Sequence, residues 1–326
     1  MGDPANGFKQ IDVGGNALTQ GYLDNGTGGS KMNFNNVFPY NQIHEATIDG
    51  QAMIWYPKTY VRALELPETA QYAGKYAWQI SEFPQEGFHV HRAFIDSSGK
   101  ERDGFYLGKY EASNQSGVPG SIAGATPWVN IDTPTAIAAC KKRNTDASKD
   151  AKTGWHIENC FEYWYVSLLM LIDLGNADTY TAIGAGGQGS LQKCGSTNAV
   201  WRGLYEHWAN VWEIVDGCKM DGNGIVQIWD TTGETYVSTG KKLADSGIAR
   251  GSGTGYDLSD TFIPAADGKG SSFSATTSDG VWTGSNTVTY LGGSWSYGSS
   301  DGAFTLHGGD GASYSNDYIG FRLAKW

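Results

Sequence analysis

Short apolar runs rich in aromatic and β-branched residues, separated by polar turns, make up most of the chain after about Met53. MIWYPKTYV and YAWQIS have the composition typical of strands, and FHVHRAFI and FYLGKYEAS predict two strands joined by the polar turn SSGKERDG. DGNG at 221–224 separates WEIVDGCKM from IVQIW and indicates a hairpin. The pattern therefore predicts short antiparallel strands.

Two longer segments have helical features instead. In IDTPTAIAACKKRN, Asp132 or Thr133 can cap the free backbone amides, Pro134 suits the first turn, and the basic residues at 141–143 suit the negatively polarised end. In GWHIENCFEYWYVSLLMLIDLGN, apolar residues occupy nearly every helical face from 161 to 174, and a glycine follows as a stop. A helix that is apolar all round belongs inside a fold, so the sequence predicts an α+β domain with two helices and long ordered loops.

The first 50 residues differ from the rest of the chain. They are rich in Gly, Asn and Thr, lack sustained apolar periodicity, and predict an irregular N-terminal arm or attachment segment. Residues 51–326 are then expected to form one large domain, which a chain of 326 residues can contain beside a small appendage.

Composition and charge limit the classes of partner. Charged residues make up 17% of the chain and aromatic residues 13%, and the 46 glycines suit short strands with long loops. The formal net charge is -11, and the 23 basic residues form no phosphate-binding cluster, so no nucleic-acid partner is expected. The first residues lack a signal-like segment, and polar residues interrupt the apolar run at 161–174, so no membrane insertion is expected.

Sequence signals for catalysis or metal binding are weak. IGAGGQG at 183–189 matches GxGxxG, but it follows a helix instead of a strand, which favours a flexible or closely packed loop. His89 and His91 have the spacing of metal ligands on a strand, but with no third ligand they predict two polar residues on its solvent-facing side. The four cysteines contain no CxxC pair and predict reduced, buried thiols, with disulfides expected only in an exported protein.

The last segment, GGSWSYGSSDGAFTLHGGDGASYSNDYIGFRLAKW, mixes large apolar residues with small polar ones. The tryptophans and phenylalanines, such as Trp212, Trp282, Trp295 and Phe321, are expected to form a buried frame. Between the frame residues, from 296 to 318, nearly all side chains are Ser, Tyr, Gly, Asp, Asn, His or Thr, which antibody loops use for adaptable recognition. Turns favour several of the same residues, so an ordinary surface loop is the alternative interpretation.

The order of several short motifs resembles a known family. GGSW (292–295), GAF (302–304) and IGFRLA (319–324), preceded by NVWEIVDG (210–217) and FYLGKYEAS (105–113), resemble the formylglycine-generating-enzyme branch of the C-type lectin fold. The segment around FHVHRAFI and the long apolar helix extend the resemblance over nearly all of the chain after the N-terminal arm. The resemblance is closer still to variable proteins of diversity-generating retroelements and to related phage tail-fibre receptor-binding proteins.

The resemblance implies a ligand-binding domain with a variable region at about 294–319. In that family, mutation of template adenines turns AAY asparagine codons into codons for Ser, Tyr, Gly, Asp, His or Thr, but not for Lys, Glu, Gln, Met or Trp. The composition of the last segment follows this rule. The implied ligand-binding positions are Ser296, Tyr297, Ser300, Asp301, Thr305, His307, Gly309, Asp310, Tyr314, Asn316, Asp317 and Tyr318.

The function that the resemblance implies is non-catalytic attachment to a host surface protein or glycan, at the tip of a viral tail fibre and hence on the virion. A homotrimer is the family-level expectation. The alternative is a diversified display protein on a bacterial or archaeal cell surface, which an export signal or lipid anchor in the gene would favour.

A second alternative is a metal-dependent enzyme of the formylglycine-generating-enzyme superfamily. Enzymes of that branch use a late cysteine pair that binds copper, whereas Cys218 is the last cysteine here. No cofactor is expected, although some members bind structural calcium through loop oxygens. Asn210 and Glu213 are the candidates for calcium, and a buried carboxylate hydrogen-bonded to backbone amides is the other interpretation.

Overall fold

The computed structural model describes residues 2–3, 7–8, 34–69, 76–145, 154–185 and 189–326. This part of the chain is mostly sheet with few helices, and 3-10 turns occur at Phe34–Asn36, Tyr40–Gln42, Arg92–Phe94, Lys142–Thr145 and Gly298–Ser300. The helices are α1 (Thr133–Lys141), α2 (Cys160–Leu174), α3 (Thr179–Ala182) and α4 (Ser274–Thr277). The strands are β1 (Gly2–Asp3), β2 (Gly7–Phe8), β3 (His44–Ile48), β4 (Gln51–Pro57), β5 (Tyr60–Glu65), β6 (Tyr76–Ser81), β7 (His89–Val90), β8 (Gly104–Gly108), β9 (Ala112–Asn114), β10 (Pro119–Ser121), β11 (Trp155–Ile157), β12 (Val200–Trp201), β13 (Leu204–Tyr205), β14 (Trp212–Met220), β15 (Ile225–Trp229), β16 (Tyr236–Ile248), β17 (Ser252–Gly253), β18 (Tyr256–Asp257), β19 (Pro264–Ala265), β20 (Val281–Trp282), β21 (Thr287–Leu291), β22 (Leu306–His307), β23 (Ile319–Phe321) and β24 (Leu323–Lys325).

The largest sheet carries most of the C-terminal half. Its strand order is β19-β16-β15-β14-β21-β22-β20, and β23 pairs in parallel with the first half of β14. The predicted turn at 221–224 joins β14 to β15 as an antiparallel hairpin, with Cys218 opposite Ile228, so that prediction is confirmed. A second sheet, in the order β11-β24-β8-β4-β3, contains the C-terminal strand between β11 and β8.

Both predicted helices are present, α1 begins and α2 ends where predicted, and residues 155–157 of the second helical segment form β11 instead. The carboxylate of Asp132 accepts a hydrogen bond from the Thr135 amide at 2.9 Å and caps α1. Asn159 caps α2 together with Glu162, and Gly175 ends that helix in the left-handed conformation at φ 59°. Nearly all of α2 is buried in the larger hydrophobic core, as expected of a helix that is apolar on every face.

The predicted pairing of FHVHRAFI with FYLGKYEAS is wrong. The strand β7 contains only two residues and pairs with β5, whereas β8 pairs with β4 and β24. The His91 side chain accepts a hydrogen bond from the Ala93 amide at 3.1 Å, which caps the turn Arg92–Phe94 and ends the strand.

The two histidines are not solvent-facing neighbours as predicted. His91 is 1% exposed, and its Nε2 lies 4.0 Å from a buried carboxylate oxygen of Asp260. His89, which is half-buried, places its Nε2 2.8 Å from the same oxygen. Both side chains approach the same oxygen of Asp260, so they do lie on one side of the chain, but that side faces a buried carboxylate instead of solvent.

The domain begins earlier than residue 51. The strand β3 pairs with β4, with His44 opposite Trp55, and the aromatic rings of Phe34 and Tyr40 lie in the larger core. The Tyr40 hydroxyl also donates to the Leu169 carbonyl of α2 at 2.9 Å. Residues from 34 to 48, which were expected in the arm, therefore pack with the rest of the described chain, and residues 9–33 lie outside the described part.

Three further predictions, on the glycine motif, the cysteine thiols and membrane-spanning helices, can be compared with the described residues. Of IGAGGQG, residues 186–188 lie outside the described part, while Gly184 accepts a hydrogen bond from Trp208 Nε1 and Gly189 donates to the Trp295 carbonyl. All four cysteines are buried with free thiols. The helices in the described ranges include none that is both long and apolar enough to span a membrane.

Candidate functional site

Five rings from different strands and one loop form an aromatic cluster beside the last segment: Trp212, Trp282, Tyr290, Tyr297 and His307. The ring centroids of Trp212 lie 5.5, 5.6 and 5.4 Å from those of Trp282, Tyr297 and His307, in edge-to-face arrangements. Trp212 is 1% exposed, whereas Trp282, Tyr297 and His307 are half-buried. The buried indole is thus the base on which the partly exposed rings stand.

The loop before β23 adds two more tyrosines. The hydroxyl oxygens of Tyr314 and Tyr318 lie 2.8 Å apart, and Asn316 Nδ2 donates to Tyr314 Oη at 2.9 Å. Backbone contacts hold this loop, because the Asn130 amide donates to the Asn316 carbonyl and an amide at the start of α1 donates to the Ala312 carbonyl. Both rings also pack against the smaller hydrophobic core, so their positions are fixed from below.

The rings of Tyr297, Tyr314 and Tyr318 all pack against the same smaller hydrophobic core. Burial raises the pKa of Tyr297, and the Asp310 carboxylate and Tyr314 raise it further. Burial also raises the pKa of Tyr318, with additional contributions from Tyr314, Tyr297 and Asp310. We call Tyr297, His307, Asp310, Tyr314 and Tyr318 the tyrosine patch. Burial lowers the pKa of His307, so its imidazole is neutral at pH 7. Its Nδ1 accepts from the Gly309 amide at 3.2 Å, which leaves Nε2–H to donate.

The remaining predicted positions divide by exposure. Ser296, Gly309 and Asp317 are exposed, and Ser300 and Asn316 are half-buried, so these five can meet a ligand. Asp301 and Thr305 are buried, which differs from the expectation that they contact a ligand.

Asp301 and Thr305 hold the loop instead. Asp301 Oδ1 accepts from the Ser294 amide at 3.0 Å, and Thr305 Oγ1 donates to the Ser300 carbonyl at 2.9 Å. A third buried side chain, Asp279, accepts from the Phe304 amide at 3.0 Å. Burial raises the pKa of Asp301 and of Asp279 to about 8, so both carboxyl groups are largely protonated at neutral pH.

The sequence did not predict the positions of two rings of the aromatic cluster. Trp282 was assigned to the buried frame but is half-buried, and its ring lies 5.2 Å from that of Tyr297. Tyr290 was not singled out, although its ring stacks on His307 at 5.8 Å. The alternation in TVTYL places Tyr290 on the same face of β21 as Val288, and this signal could have found it.

The two calcium candidates do not share an ion site. Asn210 Oδ1 accepts from the Gln192 amide at 2.8 Å, and its Nδ2 donates to Glu111 at 2.6 Å. Glu213 pairs with the buried guanidinium of Arg322, whose Nε donates to Oε1 at 2.8 Å. The carboxylate that accepts a backbone amide here is Glu111, from Val211 at 3.2 Å.

Comparisons with protein-family models and with curated proteins give no match. Among solved structures, the chain is similar to PvdO from Pseudomonas aeruginosa, with TM-score 0.42 and 12% identity over 87% of this chain and 97% of that one. It is also similar to Treponema denticola variable protein 1, with TM-score 0.39 and 12% identity over 87% and 98%. The Major Tropism Determinant M1 variant gives TM-score 0.35 and 14% identity over 84% and 62%. The structural neighbours therefore include variable proteins, the kind of protein that the motif order resembles, but similarity this distant does not assign a function.

Proposed function

We propose that the protein is a non-catalytic receptor-binding protein with a C-type lectin-like fold, diversified by a retroelement and carried at a viral tail-fibre tip. It attaches to a host surface protein or glycan through the tyrosine patch and the exposed positions beside it. One observation carries the proposal. Three half-buried tyrosines, predicted from sequence as varied positions, pack against the same hydrophobic core, and the ring of Tyr297 stands edge-on to the buried ring of Trp212.

The chemistry of the tyrosine patch suits recognition. Tyrosine gives a large, rigid contact area with a polar tip at small entropic cost, and the neutral imidazole of His307 and the carboxylate of Asp310 add hydrogen-bonding groups. This combination matches either a protein epitope or the ring faces and hydroxyls of a sugar.

The backbone under the patch is held mainly by main-chain hydrogen bonds. The Val288 amide donates to the Asp310 carbonyl at 2.9 Å, and the Gly308 amide donates to the Trp282 carbonyl at 2.8 Å. Such bonds do not depend on the identity of the exposed side chains. Exposed side chains at the varied positions can therefore change while the surface keeps its shape, whereas the buried Asp301 and Thr305, whose side chains hold the loop, cannot.

A non-catalytic role also agrees with the positions of the cysteines. Cys218 is the last cysteine, whereas the enzyme branch that the motifs resemble uses a pair late in the chain. The patch is smaller than the ~20 to 30 residues per side of a standard protein interface, so a single site is expected to bind weakly. Assembly of three chains in a fibre would raise the avidity by orders of magnitude.

The test is to replace the three tyrosines together by alanine and measure attachment of the labelled protein to intact host cells. Attachment should fall by at least about tenfold, while the melting temperature falls no further than that of a matched control triple. The triple variant is Tyr297→Ala, Tyr314→Ala and Tyr318→Ala. A matched control triple replaces half-buried tyrosines outside the patch, Tyr60→Ala, Tyr110→Ala and Tyr256→Ala.

The control triple should keep attachment at a similar cost in stability. If both triples lose attachment equally, or if the patch triple loses attachment only because it unfolds, the patch is not the binding surface. Diversification has its own test in the neighbouring DNA, which should encode a reverse transcriptase and a near-copy of the last coding segment that differs only at adenines. Absence of both would refute the retroelement part of the proposal alone.

A further inference from the structure

Three fully buried side chains point polar atoms at one another without a hydrogen-bond partner among the described residues. The atoms are both carboxylate oxygens of Glu158, Oε2 of Glu213 and Nδ1 of His207. One ligand atom from each side chain lies within 4.8 Å of the others, and all three residues are 0% exposed. Because buried polar groups in folded proteins are nearly always paired, this convergence indicates a shared partner.

The hydrogen bonds of His207 show which of its ring nitrogens faces the two carboxylates as an acceptor. Nε2 lies 3.1 Å from Ser167 Oγ, and the Ser167 hydroxyl donates to the Tyr163 carbonyl at 3.0 Å. With its proton used in this way, Ser167 Oγ accepts from Nε2–H of His207, which leaves Nδ1 as a free lone pair. A nitrogen lone pair beside carboxylate oxygens is repulsive unless a positive charge lies between them.

The nearby guanidinium of Arg322 already donates to other partners. Arg322 donates to Glu213 through Nε at 2.8 Å, and its other nitrogens donate to the carbonyls of Gly108 and Glu206 at 2.8 and 2.7 Å. Its Nε lies 4.0 Å from Glu158, too far for a hydrogen bond. The region around this one cation contains four carboxylates that are all 0% exposed: Glu111, Glu158, Glu206 and Glu213. One guanidinium cannot pair with all four of these carboxyl groups, so Glu158 and the second oxygen of Glu213 need another partner.

A proton shared by Glu158 and Glu213 is the simplest competing partner. One proton joins only two of the three side chains, either the two carboxyl groups or one carboxyl group and Nδ1 of His207, and leaves the third without a partner. A metal ion accepts electron pairs from all three side chains at once. The convergence of three side chains therefore favours a metal over a single proton.

We propose that Glu158, His207 and Glu213 bind one structural transition-metal dication of the Zn²⁺ or Mn²⁺ class. Two carboxylates with one imidazole suit these ions, whereas Ca²⁺ and Mg²⁺ take oxygen ligands. Bonds of about 2.0–2.2 Å place ligand atoms about 3.4 Å apart in a tetrahedral site, so small side-chain movements bring the three atoms to one ion. The ion would tie the start of α2 to β14 and to the loop before it, and it uses no residue of the tyrosine patch.

The experiment refolds the full chain with metal and measures how much metal remains bound per chain. Because the ligands are fully buried, the protein is unfolded in urea with a chelator and refolded with ZnCl₂, with MnCl₂ or without metal, then desalted. Mass spectrometry should find about one equivalent of metal per chain. The melting temperature of the loaded protein should exceed that of the metal-free protein by roughly 3–5 °C, as expected for a ligand that binds only the folded state.

Variants then assign the site. Glu158→Gln keeps the shape of the side chain but weakens it as a ligand, so it should lose both the retained metal and the metal-dependent rise in melting temperature. Glu206→Gln is the matched control, because Glu206 is equally buried but accepts from the amides of Gly195 and Thr197, and it should keep both.

Two results would overturn the metal site. The first is wild-type protein that retains neither metal after refolding, and this measurement stands alone if Glu158→Gln fails to fold. The second is metal retention by Glu158→Gln equal to that of the wild type. If the wild type binds no metal and Glu158→Gln is more stable than the wild type, the site holds a shared proton instead. These outcomes are independent of cell attachment, so they do not depend on the proposed receptor binding.

Discussion

Replacing Asp301 by asparagine should stabilise the protein, and the gain should grow as the pH rises. Asp301 is 1% exposed, and burial raises its pKa from 3.8 to about 8. Between those two pKa values the folded protein holds a proton that the unfolded chain has released, so the stability of the wild type falls as the pH rises. Asparagine keeps the acceptor oxygen for the Ser294 amide but carries no charge, so the variant lacks this decrease.

The size of the effect follows from the shift in pKa. Within that window each pH unit costs the wild type at most about 1.4 kcal/mol of unfolding free energy. From pH 5 to pH 8 the advantage of Asp301→Asn should therefore grow by up to ~4 kcal/mol, and above about pH 8 it should remain constant. Partial relaxation of the loop would reduce the slope but not reverse its sign.

Urea unfolding of both proteins at pH 5, 6, 7, 8 and 9 measures this difference directly. Asp317→Asn is the matched control, because Asp317 belongs to the same segment but is exposed, so its curve should run parallel to that of the wild type. Parallel curves for Asp301→Asn and the wild type would show that the Asp301 carboxylate is solvated in the folded protein, contrary to its burial.

Two further predictions concern backbone strain and histidine titration. Gly293 has φ +85°, and a Cβ there would overlap Asp301 Oδ1, so Gly293→Ala should lose about 1–3 kcal/mol of unfolding free energy. Gly298→Ala, at φ +61° with open space around it, should lose only about 1 kcal/mol, and equal losses in urea unfolding would contradict the contact. Burial alone would lower the pKa of His89, but the hydrogen bond to a buried aspartate raises the pKa overall. The protonated His89 therefore stabilises the fold below pH 6.5, and this stabilisation is lost as the pH rises through the folded pKa. Burial lowers the pKa of His91 to about 4, and two NMR titrations that both centre near 6.5 would refute this assignment.

Helices and hairpins could be predicted from the sequence because their signals act over a few residues. The cap at Asp132, the stop at Gly175 and the turn at 221–224 each depend on a local backbone conformation that a particular residue type favours. The strand predicted through His91 failed because a side-chain cap, which the alternation does not reveal, turns the chain there. The start of the domain was placed too late because Phe34 and Tyr40 are isolated anchors without periodicity.

The sequence by itself determined which side chains the last segment offers, a set of tyrosines and small polar residues between tryptophans and phenylalanines. Only the tertiary structure decided which of them face outward. In a loop without a repeating backbone conformation, the direction of a side chain depends on distant contacts, such as Asn130 with Asn316. Such contacts bury Asp301 and Thr305 but leave Tyr314 and Tyr318 partly exposed. The convergence of Glu158, His207 and Glu213 was likewise hidden, because residues up to 55 positions apart meet only after the sheet and α2 have packed together.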